Sequence, residues 1–343
     1  MNSATSIRQL FTSFYNKKIA FRQWLNPFYK NRDFISLQNW MISCQAPHKL
    51  TKSAEFPAKI DPEWGDNSQG AAHDDQYWYF TNRHNLFKIP LTTKITSKTK
   101  KSNNAGIPSR LYQNGKGYDH MGDIDIYQNK VFVPLEGKRP PKIAVHDCQT
   151  LKCLYDYDIK NDDQHGFPWC AIDPKTKRLF TSNFDFDSKE GLFVYQLETK
   201  GKEITGVHFL DRFPLFDSNF QNFKLKRIQG GCFSPNGNLY LLSDSRDGDA
   251  GLLGFDMYTG RQFVYKKIIK RTNYIPFPGG AIFEGDELEG ITYCNLTPDQ
   301  NPIASTPGIN GKLHVTMVDK DLFTDNFYFK HFDASDSNKS NFI

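Results

Sequence analysis

The residues best suited to proton transfer in this sequence are two histidines, His120 and His165, and one glutamate, Glu289. His120 stands in the segment GYDHMGD and His165 in QHGFPW, while Glu289 lies in the acidic segment GDELEG. A neutral histidine near a carboxyl group is a natural general base, because its pKa is close to neutral pH. We therefore interpret His120 and Glu289 as candidate catalytic residues, with Glu289 acting as a general acid or as a cation ligand.

The same region of the repeat carries oxygen donors that suit a hard cation. Glu289, Asn183 and Asp244 are the candidate metal ligands, and Ca²⁺ is the divalent ion that such oxygens prefer. Two histidines and a glutamate would alternatively hold a divalent metal with an open position. The sequence has no Gly-x-Ser-x-Gly elbow, no phosphate-binding glycine loop and no HExxH motif, so it indicates no serine triad and no nucleotide or organic cofactor.

A repeated pattern predicts the fold that holds these residues. Five segments share a small-residue opening, a short strand, a turn, an apolar strand and further strands, and their openings are about 50 to 60 residues apart. The openings lie at Gln69, Met121, Trp169, Gln229 and Glu289. Such radial repetition is typical of an all-β, five-bladed β-propeller, and the high content of Phe and Tyr agrees with strands.

The ends of the chain complete this prediction. The fifth repeat has only three strands, so we expect a strand within residues 53–60 to close the ring and the propeller to span residues 53–335. Residues 1–52 are predicted to form a partly helical N-terminal extension, and residues 336–343 a polar tail. The long insertion at residues 266–287 leaves six blades as an alternative to five.

In a propeller, the loop entering the first strand of each blade and the end of its second strand open on the same face. Ten residues are therefore expected around one mouth of the channel: Gln69, His120, Trp169, Gln229, Glu289, Asn82, Glu136, Asn183, Asp244 and Asp319. The predicted substrate-binding residues are Gln69, His165, Trp169, Gln229 and Asp123. Glycine beside several of them allows backbones, or a ligand, to approach closely.

Two families of known propeller enzymes share features with this arrangement. The set of Glu289, Asn183 and Asp244 resembles the calcium site of gluconolactonase and paraoxonase propellers, which implies a lactone-hydrolysing activity. Those enzymes have six blades, and the resemblance covers only the layout of the site. The Gln69-Gly70 opening is similar to that of plant-type glutaminyl cyclotransferases, which have five blades.

Two further resemblances concern carboxylates and the repeat itself. Five-bladed glycosidases use three channel carboxylates, for which Asp123 and Glu289 are candidates here. Residues 69–91, 120–137, 229–244 and 289–291 resemble a group of uncharacterised bacterial propeller proteins, a likeness that supports the fold without implying an activity.

Charge and composition limit the remaining function classes. The net charge of +5 in 343 residues is too small to indicate nucleic-acid binding. No apolar stretch is long enough for a transmembrane segment, and none of the six cysteines forms a CxxC pair. Cys148 and Cys153 would bridge in an oxidising compartment, but reduced thiols in a cytoplasmic protein fit better. The basic, acid-poor N-terminus leaves mitochondrial targeting as an alternative.

Two functions remain open at the level of sequence. The first is a small-molecule enzyme or binding protein with its site at the channel mouth, acting as a metal-assisted hydrolase, a lactonase or a lyase. The alternative is a non-catalytic interaction propeller, which would bind a protein partner through the N-terminal helix and exposed aromatics such as Trp64, Tyr77 and Trp78.

Overall fold

The computed structural model describes residues 50–55, 64–65, 67–93, 95–99, 104–173, 175–235, 237–245, 250–268, 272–277, 280–294, 313–320 and 325–334. Of the predicted N-terminal extension (residues 1–52), residues 1–49 lie outside these ranges and residues 50–52 belong to a strand, and the predicted tail at 336–343 also lies outside. In the part of the chain that is described, strands dominate, and the single α-helix, α1, covers only Ser109–Tyr112. No helix among these residues has the length and apolar character to cross a membrane.

The first three blades follow one another along the chain, each as an antiparallel sheet. The blade 1 strands are β2 (Ser68–His73), β3 (Tyr77–Asn82), β4 (Asn85–Pro90) and β5 (Asn104–Gly106). The blade 2 strands are β6 (Tyr118–Met121), β7 (Asp125–Tyr127), β8 (Lys130–Gly137), β9 (Lys142–Asp147) and β10 (Cys153–Asp158), where β6 and β7 both pair with β8. The blade 3 strands are β11 (Ala171–Asp173), β12 (Arg178–Thr181), β14 (Leu192–Lys200) and β15 (Glu203–Phe213).

The last two blades complete a five-bladed propeller, as predicted. The blade 4 strands are β17 (Ile228–Phe233), β18 (Leu239–Ser243), β19 (Gly251–Asp256) and β20 (Arg261–Lys267). The blade 5 strands are β22 (Gly280–Tyr293), β23 (Leu313–Lys320), β24 (Asp325–Ala334) and the N-terminal strand β1 (Leu50–Glu55). Because β1 pairs antiparallel with β24, the two ends of the described chain meet in one sheet and close the ring.

Two strand pairs lie outside the regular blades. A small pair joins β13 (Phe186–Asp187) to β16 (Lys224–Leu225). The insertion at residues 266–287, for which a sixth blade was the alternative, instead contains β21 (Thr272–Phe277), which pairs with the first half of β22. The second half of β22 pairs with β23, so the insertion is a hairpin continuing the innermost strand of blade 5 rather than a blade of its own.

The hydrophobic core consists of five clusters, one between each pair of neighbouring blades. Neighbouring residues of β12 show how the sequence produces this. Leu179 packs in the cluster between blades 2 and 3, and Phe180 packs in the cluster between blades 3 and 4. Side chains alternate between the two faces of a strand, and both faces are covered here, so the central strands read as nearly continuous apolar runs.

Asp123 joins the five blades at the axis. Its Oδ1 accepts a hydrogen bond from the Ala71 N–H of blade 1 at 3.0 Å, and its Oδ2 accepts from Gly231 of blade 4 and Ile291 of blade 5, both at 3.1 Å. Its own backbone bonds with Pro168 and Cys170 at the entry to blade 3. Burial raises the pKa of this carboxyl well above its usual range, although the N–H donors lower it.

Three glycines leave the space that Asp123 occupies. A Cβ at Gly70, Gly230 or Gly290 would come within 2.7–2.9 Å of the Asp123 carboxylate. Real Cβ atoms do not approach an oxygen so closely, so the repeated glycine is required by the carboxylate at the axis.

At the other end of the channel, His73 is positioned to carry a proton. Its Nδ1 lies 2.9 Å from the Asp74 carbonyl oxygen and its Nε2 lies 3.0 Å from that of Tyr293, so both nitrogens donate only in the charged form. Burial lowers the pKa of His73, but hydrogen bonds to Cys294 and to the two carbonyls raise it, and the pKa rises to about 9.

We expect the stability of the fold to fall at alkaline pH for this reason. A folded-state pKa above the unfolded value of 6.5 contributes stability that is complete below pH 6.5 and is lost as the pH rises through 9. The free energy of unfolding should decrease by roughly 3 kcal/mol across this window. Denaturant titrations at several pH values would measure it. This pH-dependent decrease in the free energy of unfolding should be smaller in His73→Gln than in the wild type. The control is His208→Gln, which changes an exposed histidine and should leave the decrease unchanged. Equal decreases in both variants would contradict the assignment.

Candidate functional site

A polar cavity of about 600 Å³ opens at the channel mouth where the innermost strands begin. Most of its lining residues carry charged, amide or imidazole side chains, and Phe184 supplies the one phenyl ring. The lining residues are Asn67, Gln69, Arg83, Asp119, His120, Glu136, Gly137, Arg139, Pro141, His165, Phe184, Arg227, Gln229, Glu287 and Glu289. A concave site with a few convergent polar groups is the usual form of a small-molecule site.

A β-bulge recurs in the innermost strand of four blades and supplies the floor of the cavity. The pairing register shifts between Ser68 and Gly70, between Tyr118 and His120, between Ile228 and Gly230, and between Leu288 and Gly290. The residues at the four shifts are Gln69, Asp119, Gln229 and Glu289, and all four line the cavity. A bulge leaves one residue out of the ladder and redirects its side chain, which is why bulges are common beside active sites.

His120 is held between two oxygen acceptors. Its Nδ1 lies 3.2 Å from Glu136 Oε2, and its Nε2 lies 2.7 Å from Gln69 Oε1. The amide nitrogen of Gln69 donates to the Ser68 carbonyl, so the amide oxygen is the atom that faces the ring. Both ring nitrogens can donate only in the imidazolium form, and the Glu136 carboxylate then forms an ion pair with it. This arrangement presents a proton donor to the cavity.

Two further bulge residues place polar groups deep in the cavity. The Glu289 side chain is 2% exposed and that of Gln229 is 8% exposed, so a ligand that reaches them is largely removed from water. In a buried site a carboxyl group interacts more strongly with a charge or a hydrogen-bond donor than it does in water. Glu289 and His120 thus offer two proton-transferring groups within one cavity.

An arginine links the cavity wall of blade 4 to that of blade 5. Arg227 Nη2 lies 3.1 Å from Asp244 Oδ2 and 3.2 Å from Glu287 Oε1. Its guanidinium also lies 5.4 Å from the centre of the Phe184 ring, which is 37% exposed at the cavity. The site therefore combines a cation, a carboxylate and one flat apolar surface on this side.

The loop that carries His165 is fixed by Asn183. The Asn183 Oδ1 accepts hydrogen bonds from the backbone N–H groups of His165 and Gly166 at 2.8 and 3.1 Å, and its Nδ2 donates to the Asp163 carbonyl. The Glu136 Oε1 accepts from the Phe167 N–H at 2.5 Å, so the carboxylate that holds His120 also holds this loop.

Replacing Asn183 with alanine is expected to loosen this loop. The loss of two bonds to backbone N–H groups should cost about 1.4 kcal/mol or more. The hydrogen-exchange rates of the His165 and Gly166 amides should therefore rise about tenfold or more. Asn82→Ala is the matched control, since Asn82 Oδ1 also accepts two backbone N–H bonds, from His84 and Asn85. Unchanged exchange at 165–166 in Asn183→Ala would contradict the assignment.

No protein-family model matches this sequence, and no curated protein matches it either. Similar solved structures come from bacteria. The glutaminyl cyclase of Myxococcus xanthus has a TM-score of 0.51 at 9% identity, covering 84% of this chain and 98% of that one. A Xanthomonas campestris gluconolactonase reaches 0.41 at 10% identity (84% and 95% covered), and a Bacteroides caccae protein of unknown function reaches 0.36 at 13% identity (80% and 90% covered). The likeness to the glutaminyl cyclase shows the fold alone.

Half of the ten residues expected around the mouth line the cavity. Those that line it are Gln69, His120, Glu136, Gln229 and Glu289, and His165 joins them. Those that do not are Asn82, Trp169, Asn183, Asp244 and Asp319. Asn82 and Asn183 bond the backbone of nearby loops, and Asp244 accepts from the Leu288 N–H while facing Arg227. At these strand ends the polar side chains fix the loops.

The structure places Asp123 and Trp169, which were predicted to bind substrate, in the core and not at the cavity. Both residues are fully buried, and neither lines the cavity. The Asp123 oxygens are engaged by backbone N–H groups of three blades, and the Trp169 indole packs in the core with its N–H donated to Ser182 Oγ. A Cβ at Gly231 would touch the Trp169 ring at 2.3 Å, so this ring fills the space between blades 3 and 4.

The predicted calcium ligands have other partners in this fold. Asn183 Oδ1 accepts two backbone N–H groups, and Asp244 accepts a third from Leu288 and forms an ion pair with Arg227. A Ca²⁺ ion needs six to eight oxygens with free lone pairs, and the oxygens of Asn183 and Asp244, two of the three predicted ligands, are already engaged by these partners. No group of three or more His, Cys, Asp and Glu residues in the described ranges converges as a metal site.

Because Asn183 and Asp244 already bond backbone N–H groups and Arg227, we expect the removal of divalent ions to leave the fold unchanged. Dialysis against EDTA should shift the melting temperature by less than about 1 °C, because a ligand stabilises the fold only if it binds the native state. Calorimetry before and after dialysis, with elemental analysis of the protein, would measure this. A tightly held ion that is lost in Glu289→Gln would contradict it and restore the predicted calcium site.

Several cavity residues were not predicted from the sequence. Arg227, Phe184, Arg83 and Asp119 carry no repeated motif that marks them. Asp119 enters through the bulge of β6, and Arg227 has a left-handed backbone with φ of 52° just before β17. The one available signal was position, since Arg83, Phe184 and Asp119 are each adjacent to a residue that the repeat did identify, and Arg227 lies two residues before Gln229.

Proposed function

We propose that this chain is an acid–base enzyme that hydrolyses or cyclises a small polar carbonyl compound, such as a lactone or an amide, at the channel mouth. The observation that carries the proposal is the position of His120 between Glu136 and Gln69 in a polar cavity that also contains the buried Glu289. Two proton-transferring groups that differ in charge and environment are the usual basis of acid–base catalysis.

The geometry suggests a role for each group. The Gln69 oxygen marks a position where the Nε2–H of His120 finds an acceptor at 2.7 Å, and a substrate carbonyl that displaced it would receive the same hydrogen bond. His120 would then polarise the carbonyl and protonate the leaving group. Glu289 would accept the proton of the attacking water, hydroxyl or amine, and the amide of Gln229 would orient the substrate.

The substrates for the test are chosen from the resemblance of the sequence to lactonases and from the structural likeness to a glutaminyl cyclase. We would measure proton release from glucono-1,5-lactone and related aldonolactones, and ammonia release from glutaminyl peptides. Glu289→Gln should lower turnover about a hundredfold or more on any substrate that the wild-type protein converts. Glu190→Gln is the control, since it removes one exposed carboxylate that does not line the cavity. Turnover that survives in Glu289→Gln would contradict the role of Glu289, and no turnover of either substrate class would contradict the proposed activity.

The alternative of an interaction propeller loses the observation that motivated it. The Trp64 and Trp78 side chains are 1% and 2% exposed and pack between blades 1 and 5, so they are not surface anchors. Tyr77 is half-buried beneath the Lys88 ammonium group. The predicted helical docking element lies outside the described residues.

A further inference from the structure

A second cavity continues from the first across the top of the junction between blades 2 and 3. It has a volume of about 950 Å³ and shares Gly137, Arg139, Pro141 and His165 with the cavity at the channel mouth. The two cavities therefore form one groove that leads from His120 and Glu289 towards the outside of the propeller. A groove of this length suits a ligand longer than a single sugar ring or amino acid.

The walls of the second cavity are fixed in place before any ligand arrives. One wall is the loop after β8, and the other is the segment after β10. The Ile159 N–H donates to the Pro141 carbonyl at 3.0 Å, and the Tyr118 hydroxyl donates to the Pro140 carbonyl at 2.8 Å. Two consecutive prolines add stiffness because their φ angles are fixed. A preformed groove loses little conformational entropy when a ligand binds.

The charges along this groove favour an anion. Lys142 is neutralised by Asp156 at 2.9 Å and by Asp158 at 2.7 Å. Lys138, Arg139 and Lys160 line the same cavity, and none of them has a carboxylate within ion-pair distance among the described residues. Asp162 is the only acidic lining residue besides Asp158. The groove therefore carries an excess of positive charge directly beside the proposed catalytic groups.

We propose that the substrate carries an anionic arm, a carboxylate or a phosphate, which lies in this groove against Lys138, Arg139 and Lys160. The inference rests on the proposed function for the position of the reacting end, but the anion site itself is independent of catalysis. Flexible lysines bind such groups as point charges. Arg139 donates one N–H from Nη2 to Gln113 Oε1 at 2.7 Å, and the remaining donors of its planar guanidinium suit either a carboxylate or a phosphate.

The test uses two probes that separate the two sources of charge, citrate for carboxylates and tripolyphosphate for phosphates. Binding of each to the full-length chain would be measured by calorimetry at low ionic strength. The double variant Lys138→Gln/Lys160→Gln should weaken binding of the preferred probe three- to tenfold. The matched control is Lys200→Gln/Lys202→Gln, which removes the same charge from the turn between β14 and β15 at the other end of the channel, and it should bind as the wild type does.

The outcomes distinguish the anion site from the proposed activity. His120→Gln should lose turnover and keep probe binding. Binding that is absent in the wild type, or equal in the groove variant and the wild type, overturns the anion site and leaves the activity standing. Equal weakening in both double variants shows a non-specific charge effect and also overturns it. Probe binding that depends on Lys138 and Lys160, without turnover of any substrate, supports the anion site while the proposed activity fails.

Discussion

Replacing Asp123 with alanine is expected to lower the melting temperature by about 6 °C. The substitution leaves the backbone N–H groups of Ala71, Gly231 and Ile291 without an acceptor at the most buried point of the fold. Each unpaired buried donor costs about 1–3 kcal/mol, and water entering the space recovers part of that, so we expect a net loss of about 4 kcal/mol. In a chain of 343 residues, 1 kcal/mol shifts the melting temperature by about 1.5 °C, because the entropy of unfolding is about 2 cal/mol/K per residue.

Asp123→Asn distinguishes the effect of losing hydrogen bonds from the effect of losing side-chain volume. The amide has the same shape but only one acceptor oxygen, and its NH₂ group must face at least one N–H donor. Its melting temperature should fall between those of the wild type and of the alanine variant. Asp119→Ala is the control, because this neighbouring aspartate lines the cavity and holds only the partly exposed Arg83.

The ranking of these three variants decides the role of Asp123. If Asp123→Ala melted like the wild type but lost ligand binding, the residue would belong to the site after all. If Asp119→Ala were the least stable, the link between blades at the axis would lie elsewhere.

Much of the fold was predictable because blade formation depends on local patterns. Apolar runs such as residues 239–242, turn residues and small-residue openings repeat along the chain, and each blade forms mostly from consecutive strands. Closure by an N-terminal strand followed from counting strands in the last repeat, although the strand lies at Leu50–Glu55 and not at the predicted residues 53–60. The number of blades was harder to fix, because β21 and β22 read as strands whether they form a blade or extend one.

The candidate site was only partly predictable, for a physical reason. Gln69, Gln229 and Glu289 were identifiable because each precedes a glycine at the same point of the repeat. Their orientation depends on a bulge, which is set by the pairing register and leaves no mark in the sequence.

Asp123 shows why the remaining roles could not be assigned from the sequence. From the sequence alone, an aspartate beside a glycine fits two roles equally well: it can bind a substrate, or it can accept hydrogen bonds from backbone N–H groups. The choice depends on N–H groups contributed from positions 52, 108 and 168 residues away. Only the assembled ring brings those groups together.

Replacing His120 with glutamine should lower kcat by a factor of about 10² to 10⁴ on the substrate that the wild-type enzyme converts best. This is the usual range for losing a positioned proton donor. Stability should change little, since the His120 side chain is 31% exposed and no core packing is removed. KM should change less than kcat, because Gln229, His165 and Arg227 still line the cavity.

Glu136→Gln tests whether the carboxylate acts through His120. The amide keeps an oxygen for the Phe167 N–H but cannot form an ion pair with the imidazolium. A smaller loss of kcat is expected, because His120 loses the carboxylate that pairs with its imidazolium form. A merely structural role for Glu136 would lower stability and leave kcat unchanged. If both His120→Gln and Glu136→Gln kept kcat within about threefold of the wild type, acid–base catalysis would have to be assigned to other residues of the cavity, of which Glu289 is the first to examine.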